Sequence, residues 1–299
     1  MFTLQQLQYV LALEAEGTFV GAAELCGVTQ PTLSMQVQKL ESELGITLFD
    51  RGRQPIKPTP EGKALLDHAR VINDAAGQFQ EMVAELIGKI GGRFRLGVIP
   101  TIAPYLIPSM VQPFLAKYPE VELTISEHYT ADILPMLELG RLDAALIATH
   151  EDAPWMDSLH LFDDAFVAYV SPSSELYRKT TLTVQDLEQE RLWLLQDGHC
   201  LKGQVLQLCR LDRQQDGPQV KYEAGSLDTL QRMVDRYGGA TLLPSLAVAS
   251  MASPQLKRLR YFRDPEPSRP IILASRKNSG RERLKEALVE MIKDIRNVG

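Results

Sequence analysis

The sequence predicts a multidomain protein, α-helical over its first third and α/β beyond, and three observations predict it. Apolar residues recur at helical spacing in three short segments between residues 4 and 44. A longer helical pattern with a seven-residue repeat follows over residues 60 to 90. From residue 93 onward, short apolar strands alternate with amphipathic helices. A chain of 299 residues has room for more than one domain, each with its own core.

Leu4, Leu7, Val10 and Leu11 make one apolar face of the first helix, which Gly17 ends. Val20 to Cys26 is a second, short helix whose Ala22 and Ala23 allow close helix contact. Gly27-Val28 turns the chain. Thr29 then caps a third helix, with Pro31 in its first turn, where a missing N–H costs nothing. Leu33, Val37, Leu40 and Leu44 face inward, while Thr32, Ser34, Met35, Gln38 and Lys39 face out. Two helices joined by a short glycine turn, the second with a polar outer face, predict a helix-turn-helix whose second helix enters the major groove of double-stranded DNA. Thr29, Gln30, Pro31, Thr32, Ser34, Met35 and Gln38 are the candidate DNA-binding residues. A helical protein-interaction module is the competing reading of the same pattern.

Ile46 to Phe49 and Pro55 to Lys57 read as two short strands around Asp50-Arg51-Gly52-Arg53-Gln54. This is a wing, with Arg51 and Arg53 at its tip aimed at phosphates or a minor groove. Over residues 1 to 60, four basic residues (Lys39, Arg51, Arg53, Lys57) stand against six acidic ones. The unit therefore lacks the broad basic patch usual for nucleic-acid binders, and its basic residues gather on the third helix and the wing.

Thr59 caps and Pro60 starts a long helix. Leu65, Ile72, Phe79 and Leu86 form one row of a heptad; Ala69, Ala76, Val83 and Ile90 form the other. Both rows filled through consecutive heptads predict a coiled-coil seam with a second copy of the chain, with packing onto the chain's own body as the plainer alternative. Gly88, Gly91 and Gly92 make a hinge.

Beyond the hinge, Phe94 to Ile99, Val121 to Glu127 and Leu142 to Ala148 read as strands, with helices through Phe114 and Gly140 between them. The alternation predicts a largely parallel, doubly wound sheet, with ligands beyond the carboxyl ends of its strands. Thr101 and Thr130 stand there at helix N-termini, where they can face a small polar ligand or simply cap the helices. Ala165 to Val170 opens a second lobe that contains the apolar run Leu192 to Leu195, Gly225-Ser226-Leu227-Asp228 and the strand entered at Gly238-Gly239. A proline-rich stretch from Pro265, containing Arg269, leads into Ile271 to Ala274, which returns to the first lobe. The chain closes with an amphipathic helix carrying Leu284, Leu288, Met291, Ile292 and Ile295. Two α/β lobes with two crossings predict a periplasmic-binding-protein-like clamp. The predicted domains are 1–59 (DNA-binding), 60–90 (linker helix) and 91–299 (regulatory), the last with lobe I at about 91–162 and 265–299 and lobe II at about 163–264.

Asp197-Gly198-His199-Cys200-Leu201 breaks the apolar run, and Leu201, Val205 and Leu208 then recur at helical spacing. Cys200 thus opens a helix, where free N–H groups favour a thiolate, and His199 beside it can add charge or a hydrogen bond. Cys209 lies nine residues on. In a helix that puts the two Cα atoms roughly 13 Å apart, whereas a disulfide needs about 7 Å or less. The pair reads either as two small buried side chains or as thiols that can bond only if the helix unwinds. The spacing matches no common zinc site.

Hydrophobic residues at 44% and charged residues at 23% exclude a disordered chain, and a net charge of −6 gives no general affinity for nucleic acid. The start, Met1-Phe2-Thr3-Leu4-Gln5-Gln6, has neither the basic nor the apolar stretch of a signal peptide, and no apolar run approaches ~18 residues. A cytoplasmic protein with reduced thiols at rest is expected, with no membrane association, metal or cofactor.

Along the whole chain, the order of parts resembles the LysR family of bacterial transcription regulators. Ala22-Ala23-Glu24, Val28-Thr29-Gln30-Pro31-Thr32-Leu33-Ser34 and Leu48-Phe49-Asp50-Arg51 are similar to that family's helix-turn-helix and wing. Gly97-Val98-Ile99-Pro100-Thr101, Pro104-Tyr105-Leu106-Ile107-Pro108 and Asp197-Gly198-His199-Cys200-Leu201 with Cys209 are similar to motifs of its peroxide-sensing branch. The resemblance implies a transcription activator of oxidative-stress genes rather than an enzyme. It implies that Cys200 is the peroxidatic residue and Cys209 the resolving one, joined reversibly as a disulfide. It further implies that Thr101, Thr130, His199 and Arg269 hold hydrogen peroxide, with Arg276 as a weaker substitute for Arg269. A dimer of dimers on a promoter operator, in contact with RNA polymerase, is the implied assembly. Cys26 has no counterpart role and is expected in the core. Two rivals are a LysR regulator that answers a small metabolite in the inter-lobe cleft and a thiol peroxidase, which would leave residues 1 to 90 without a purpose.

Overall fold

The computed structural model describes residues 1–52, 54–86, 90–209, 222 and 224–298. They fall into two compact units, Met1–Lys89 and Ile90–Gly299. No helix among the described residues is long and apolar enough to cross a membrane.

The first unit comprises α1 (Leu4–Glu16), α2 (Phe19–Leu25), α3 (Gln30–Leu44), β1 (Phe49–Asp50), β2 (Lys57–Pro58) and α4 (Pro60–Leu86). Thr3 and Gln6 cap α1 reciprocally, and Gly17, in the left-handed conformation, ends it. Leu7, Val10 and Leu13 of α1 meet Ala22 and Ala23 of α2 and Leu33, Val37 and Leu40 of α3 in one core. The buried row of α1 steps through 7, 10 and 13, so Leu13 takes the place expected of Leu4, which lies exposed in the first turn. Cys26 ends α2 and packs partly buried against this core. Thr29 occupies the cap position of α3 without bonding a backbone N–H; its hydroxyl meets that of Thr32 at 2.8 Å. Among the described residues, the wing pairs only Phe49 with Pro58 and Asp50 with Lys57. It begins later than expected on its second strand, where Pro55 has no N–H to extend the ladder.

Leu66 and Ala69 of α4 are buried in the core of the first unit, whereas Ile72, Phe79 and Val83 are exposed. The first turn of α4 is fixed at Thr59, whose hydroxyl accepts from Gly62 N–H at 2.9 Å and donates to Thr47 O at 2.8 Å. Gly62 must stay small, because a Cβ there would lie 2.1 Å from the Leu48 carbonyl oxygen.

The second unit runs β3 (Gly92–Val98), α5 (Ala103–Lys117), β4 (Val121–Glu127), α6 (Thr130–Glu138), β5 (Ala144–Ile147) and β6 (Met156–Val170). It continues with β7 (Thr181–Leu182), α7 (Cys200–Leu208), α8 (Leu227–Tyr237), β8 (Ala240–Pro244), α9 (Ser253–Leu256), β9 (Leu259–Phe262), β10 (Ser268–Arg276) and α10 (Glu282–Val298). The strand order is β4-β3-β5-β10-β6-β9-β7, with β8 also paired to β6. β3 runs parallel to β4 and β5, but β10 is antiparallel to both β5 and β6, and β6 is antiparallel to β8 and β9. The sheet is therefore mixed rather than largely parallel.

The reason is β6, whose fifteen residues begin at Met156, well before the expected Ala165. Its first half pairs with β10 and its second half with β8 and β9, so one continuous strand serves both lobes. Each lobe has its own apolar core. Phe94, Leu96, Phe114, Ile133, Ile272 and Leu288 belong to the first; Tyr169, Trp193, Leu201, Val205, Leu230 and Leu243 belong to the second. The Leu192–Leu195 run is buried as its composition requires, but it is held by two single bridges, Leu192 to Ala240 and Leu195 to Ala224, rather than as a full strand.

Gly62→Ala is expected to drive a methyl group into the Leu48 carbonyl and destabilise the first unit by about 1–3 kcal/mol. Gly77→Ala, where nothing stands within 4 Å, is expected instead to stabilise α4 by helix propensity, by up to about 1 kcal/mol. Amide exchange in α1 to α4 of the full chain reads both; equal protection in the two variants would contradict the packing described.

Candidate functional site

Five sequence-singled residues meet between the lobes. Cys200 is the first residue of α7, and His199 is its cap. Cys200 is partly buried and packs against the core of the first lobe, although α7 itself, through Leu201 and Val205, belongs to the second. Thr130 is the first residue of α6, and Thr101 lies in the turn between β3 and α5. Neither threonine caps its helix by a side-chain bond, which leaves both hydroxyls for the site. Arg269 arrives on β10, the returning strand.

Arg269 is the largest fully buried side chain in the second unit. Its Nη1 donates to Thr101 Oγ1 at 2.8 Å and its Nη2 to the Thr101 carbonyl at 3.0 Å. Its Nε and Nη2 donate to Asp164 Oδ2 at 3.1 and 3.0 Å. Arg269 and Asp164 are register partners across β10 and β6, and both side chains are wholly buried. A charge in such a place is tolerated only when paired and hydrogen-bonded, which is what the neighbouring strand supplies.

Gly198 allows the approach to Cys200. Its φ is +98°, and a Cβ there would meet the Tyr129 ring at 3.3 Å. Tyr129 stacks edge-on against His199, with ring centroids 4.8 Å apart, and accepts from Gln196 Nε2 at 2.7 Å. His199 is buried and engages the Gly225 backbone, while its Nε2 has no partner among the described residues. Burial holds its pKa below the ordinary imidazole value, so it is neutral at neutral pH. Of the two roles open to His199, desolvation disfavours the charge and leaves the hydrogen bond.

Burial also pushes the Cys200 thiol up, and it outweighs the lowering by the Arg269 charge, the Thr130 hydroxyl and the backbone N–H groups of Leu201 and Cys200. Burial thus opposes the thiolate that the helix start favours. Thr130 Oγ1 lies close enough to act on the sulfur, yet it is buried and makes no hydrogen bond of ordinary geometry. Cys209 is 1% exposed in the core of the second lobe, and burial followed by the Glu188 charge pushes its thiol to about 11. Both cysteines are free, at opposite ends of an intact α7. Arg276 ends β10 at the register partner of Met156, seven residues along the strand from Arg269, and is not part of this cluster.

The residues expected to touch DNA share a face in the first unit. Thr29, Gln30, Pro31, Met35 and Gln38 are exposed along α3, Thr32 and Ser34 are partly so, and Leu33, Val37 and Leu40 turn inward. Arg51 at the wing is ion-paired to Glu41 of α3 and stands 5.4 Å from the Phe19 ring centroid, so it ties the wing to that helix. Arg53 lies outside the described residues.

Residues 4–63 match the bacterial regulatory helix-turn-helix protein of the lysR family, and residues 88–296 match the LysR substrate binding domain. The chain belongs to the LysR family. Within it, the chain is 34% identical to the hydrogen peroxide-inducible genes activator of Haemophilus influenzae over 298 residues, covering 98% of each chain. It is 33% identical to the DNA-binding transcriptional dual regulator OxyR of Escherichia coli K12, covering 97% of this chain and 94% of that one. A full-length OxyR variant of Pseudomonas aeruginosa has the same fold, with a TM-score of 0.80, 32% identity and 98% of both chains covered. A hydrogen peroxide-bound OxyR mutant of Corynebacterium glutamicum follows at a TM-score of 0.64 and 31% identity, covering 98% of this chain and 92% of that one. As a LysR protein, the chain is a DNA-binding transcription regulator of the OxyR type.

In this LysR chain, sequence reasoning missed Asp164, Tyr129 and Gln196. Asp164 gave no signal, since an acidic pair in a strand reads as a solvated edge until the register with Arg269 is known. With reduced, folded protein at neutral pH, a small neutral haloacetamide is expected to label Cys200 well before Cys209. Cys209 labelling should rise only as the pH approaches about 11, because a raised thiol pKa keeps the thiolate scarce below it. Peptide mapping across a pH series checks this, and labelling of Cys209 first would reverse the assignment of the accessible thiol.

Proposed function

We propose that the chain is a peroxide-sensing transcription activator in which Cys200 is the peroxidatic cysteine and Cys209 the resolving one. The observation that carries this reading is the buried Arg269 hydrogen-bonded to Thr101 beside a helix-start Cys200, with a second cysteine at the other end of the same helix. The likeness along the whole chain to the hydrogen peroxide-inducible genes activator of Haemophilus influenzae supports it. Thr101, Thr130, His199 and Arg269 supply hydroxyl, imidazole and guanidinium groups for hydrogen peroxide. Cys200 attacks one peroxide oxygen, the S–O bond forms as the O–O bond breaks, and the thiol's proton ends on the leaving oxygen as water. The Cys209 thiol then attacks the Cys200 sulfur, S–S replacing S–O, and a second water leaves. Nine helical steps separate the two Cα atoms by roughly 13 Å, so the disulfide requires α7 to unwind.

The two α/β lobes act as a periplasmic-binding-protein-like clamp in a regulatory domain of residues 91–299, and this movement is passed to a DNA-binding domain at 1–59 through the linker helix at 60–90. The face of α3 reads the major groove from Gln30, Pro31, Thr32 and Ser34, with Thr29, Met35 and Gln38 flanking; Arg51 and Arg53 sit against the backbone. The exposed Ile72, Phe79 and Val83 form a seam for a second copy, and two such dimers on an operator in the cytoplasm present a surface to RNA polymerase.

Phe79→Asp should place a charge in that seam, separate the chains in light scattering, and cost about 10²-fold or more in operator affinity through lost bivalency. An unchanged dimer would show that α4 is not the contact. For the switch, one equivalent of peroxide should convert the Cys200 and Cys209 thiols to a disulfide and raise amide exchange over residues 199 to 209, while Cys209→Ser should stop at the sulfenic acid. Equal exchange in the reduced and oxidised protein would sink the coupling. A normal transcriptional response in Cys200→Ser would point instead to a metabolite in the inter-lobe cleft.

A further inference from the structure

Arg269 could not stand where it does on its own. Its side chain is fully buried, and a guanidinium carries five N–H groups that all need acceptors. Four bonds are accounted for: two to Asp164 Oδ2, one to Thr101 Oγ1 and one to the Thr101 carbonyl. The remaining N–H, on Nη1, has no protein acceptor among the described residues, and it belongs to a charge near enough to act on Cys200.

The other oxygen of Asp164 is equally committed. Oδ1 accepts from Ser245 Oγ at 2.7 Å and from Leu246 N–H at 3.1 Å. Ser245 and Leu246 directly follow β8, in the second lobe. Asp164 itself sits on β6 just before that strand passes from pairing with β10 to pairing with β8. One carboxylate therefore clamps the guanidinium with one oxygen and is clamped by the second lobe with the other.

We infer that Asp164 is the positioning residue for the reaction at Cys200: anchored by Ser245 and Leu246, it fixes the plane of the Arg269 guanidinium so that the leftover Nη1 N–H is held toward the reacting oxygen. This rests on the peroxide reading of the site. The N–H is already spent on no other partner, so it can donate to the leaving oxygen as the O–O bond breaks, at no cost in reorganisation. Fixing Nε and Nη2 on one carboxylate oxygen holds the side edge of the planar group, whereas the two bonds to Thr101 alone would hold only its Nη1–Nη2 end. Asp164 touches neither sulfur nor peroxide, and acts through Arg269.

The test uses the full chain with Cys209→Ser, so that oxidation stops at the Cys200 sulfenic acid, and compares Asp164, Asp164→Asn and Asp164→Leu. Asn keeps one carbonyl oxygen. Turned to Arg269 it strands the Leu246 N–H, and turned to Leu246 it sets its own NH2 against the guanidinium. Leu matches the volume and offers no acceptor. Two rates are read at Cys200 by peptide mass: oxidation by hydrogen peroxide and alkylation by a neutral haloacetamide. Their ratio cancels changes in access and in thiolate fraction. The ratio is expected to fall roughly tenfold in Asp164→Asn and about a hundredfold in Asp164→Leu. Where Asp164→Leu does not fold, Asp164→Asn alone decides. If both rates change together and the ratio holds within twofold, Asp164 is only structural and the inference is overturned. If the parent protein's Cys200 alkylates but does not react with peroxide, the reading of the site fails first, and the inference goes with it.

Discussion

A buried ion pair between neighbouring strands governs the regulatory unit. Arg269 and Asp164 have no exposed side-chain surface, and moving such charges out of water costs several kcal/mol per ion unless each is satisfied. The strand register satisfies both, since β10 and β6 place them directly opposite each other. Because β6 also pairs with β8 and β9, the residue that neutralises Arg269 is tied into both lobes. The position of the cysteine's charged neighbour is thus a consequence of how the two lobes share one strand.

The second constraint is the divided allegiance of α7. Its first residue packs with the first lobe while Leu201, Val205 and Cys209 are buried in the second. Two side-chain contacts fasten the junction: Gln204 Nε2 donates to the Ala148 carbonyl at 2.6 Å, and Gln196 Nε2 donates to the Tyr129 hydroxyl at 2.7 Å. Both reach from the second lobe to the carboxyl ends of first-lobe elements. A change in α7 therefore alters contacts between lobes directly, without needing a chain of intermediates.

Much of this was legible in the residues. The helix-turn-helix, the strand–helix alternation and the placing of Cys200 at a helix start follow from local periodicity and capping, which act over a few residues. What escaped was non-local. The antiparallel entry of β6 and β10 into the sheet depends on a pairing between segments over a hundred residues apart, as Arg269 and Asp164 are. The same pairing hid the part Asp164 plays at the site. The electrostatics also turned on burial. A helix N-terminus and a nearby arginine both favour a thiolate, but desolvation of Cys200 is the larger effect, and the neutral state of His199 has the same cause. Thr29 looks like a cap in sequence, and only the structure shows its hydroxyl turned to Thr32.

On the proposed mechanism, packing sets how the switch resets more than how it fires. Unwinding α7 would withdraw Leu201 and Val205 from the second lobe's core, at about 1.5–3 kcal/mol each, or roughly 3–6 kcal/mol together. For a two-electron couple this raises the reduction potential of a Cys200–Cys209 disulfide by about 60–130 mV over an unstrained one. Peroxide is indifferent to that shift, because its step forms an S–O bond in the folded reduced state, before the helix is lost. Thiol reductants are not indifferent, since they work against the disulfide's own potential. The buried face of α7 therefore holds the reduced form as the resting state and keeps the oxidised form reducible, while the speed of oxidation is left to the groups around Cys200. Trigger and reset are separated because they depend on different residues: Arg269, Thr101 and their partners on one side, and the apolar stripe of α7 on the other.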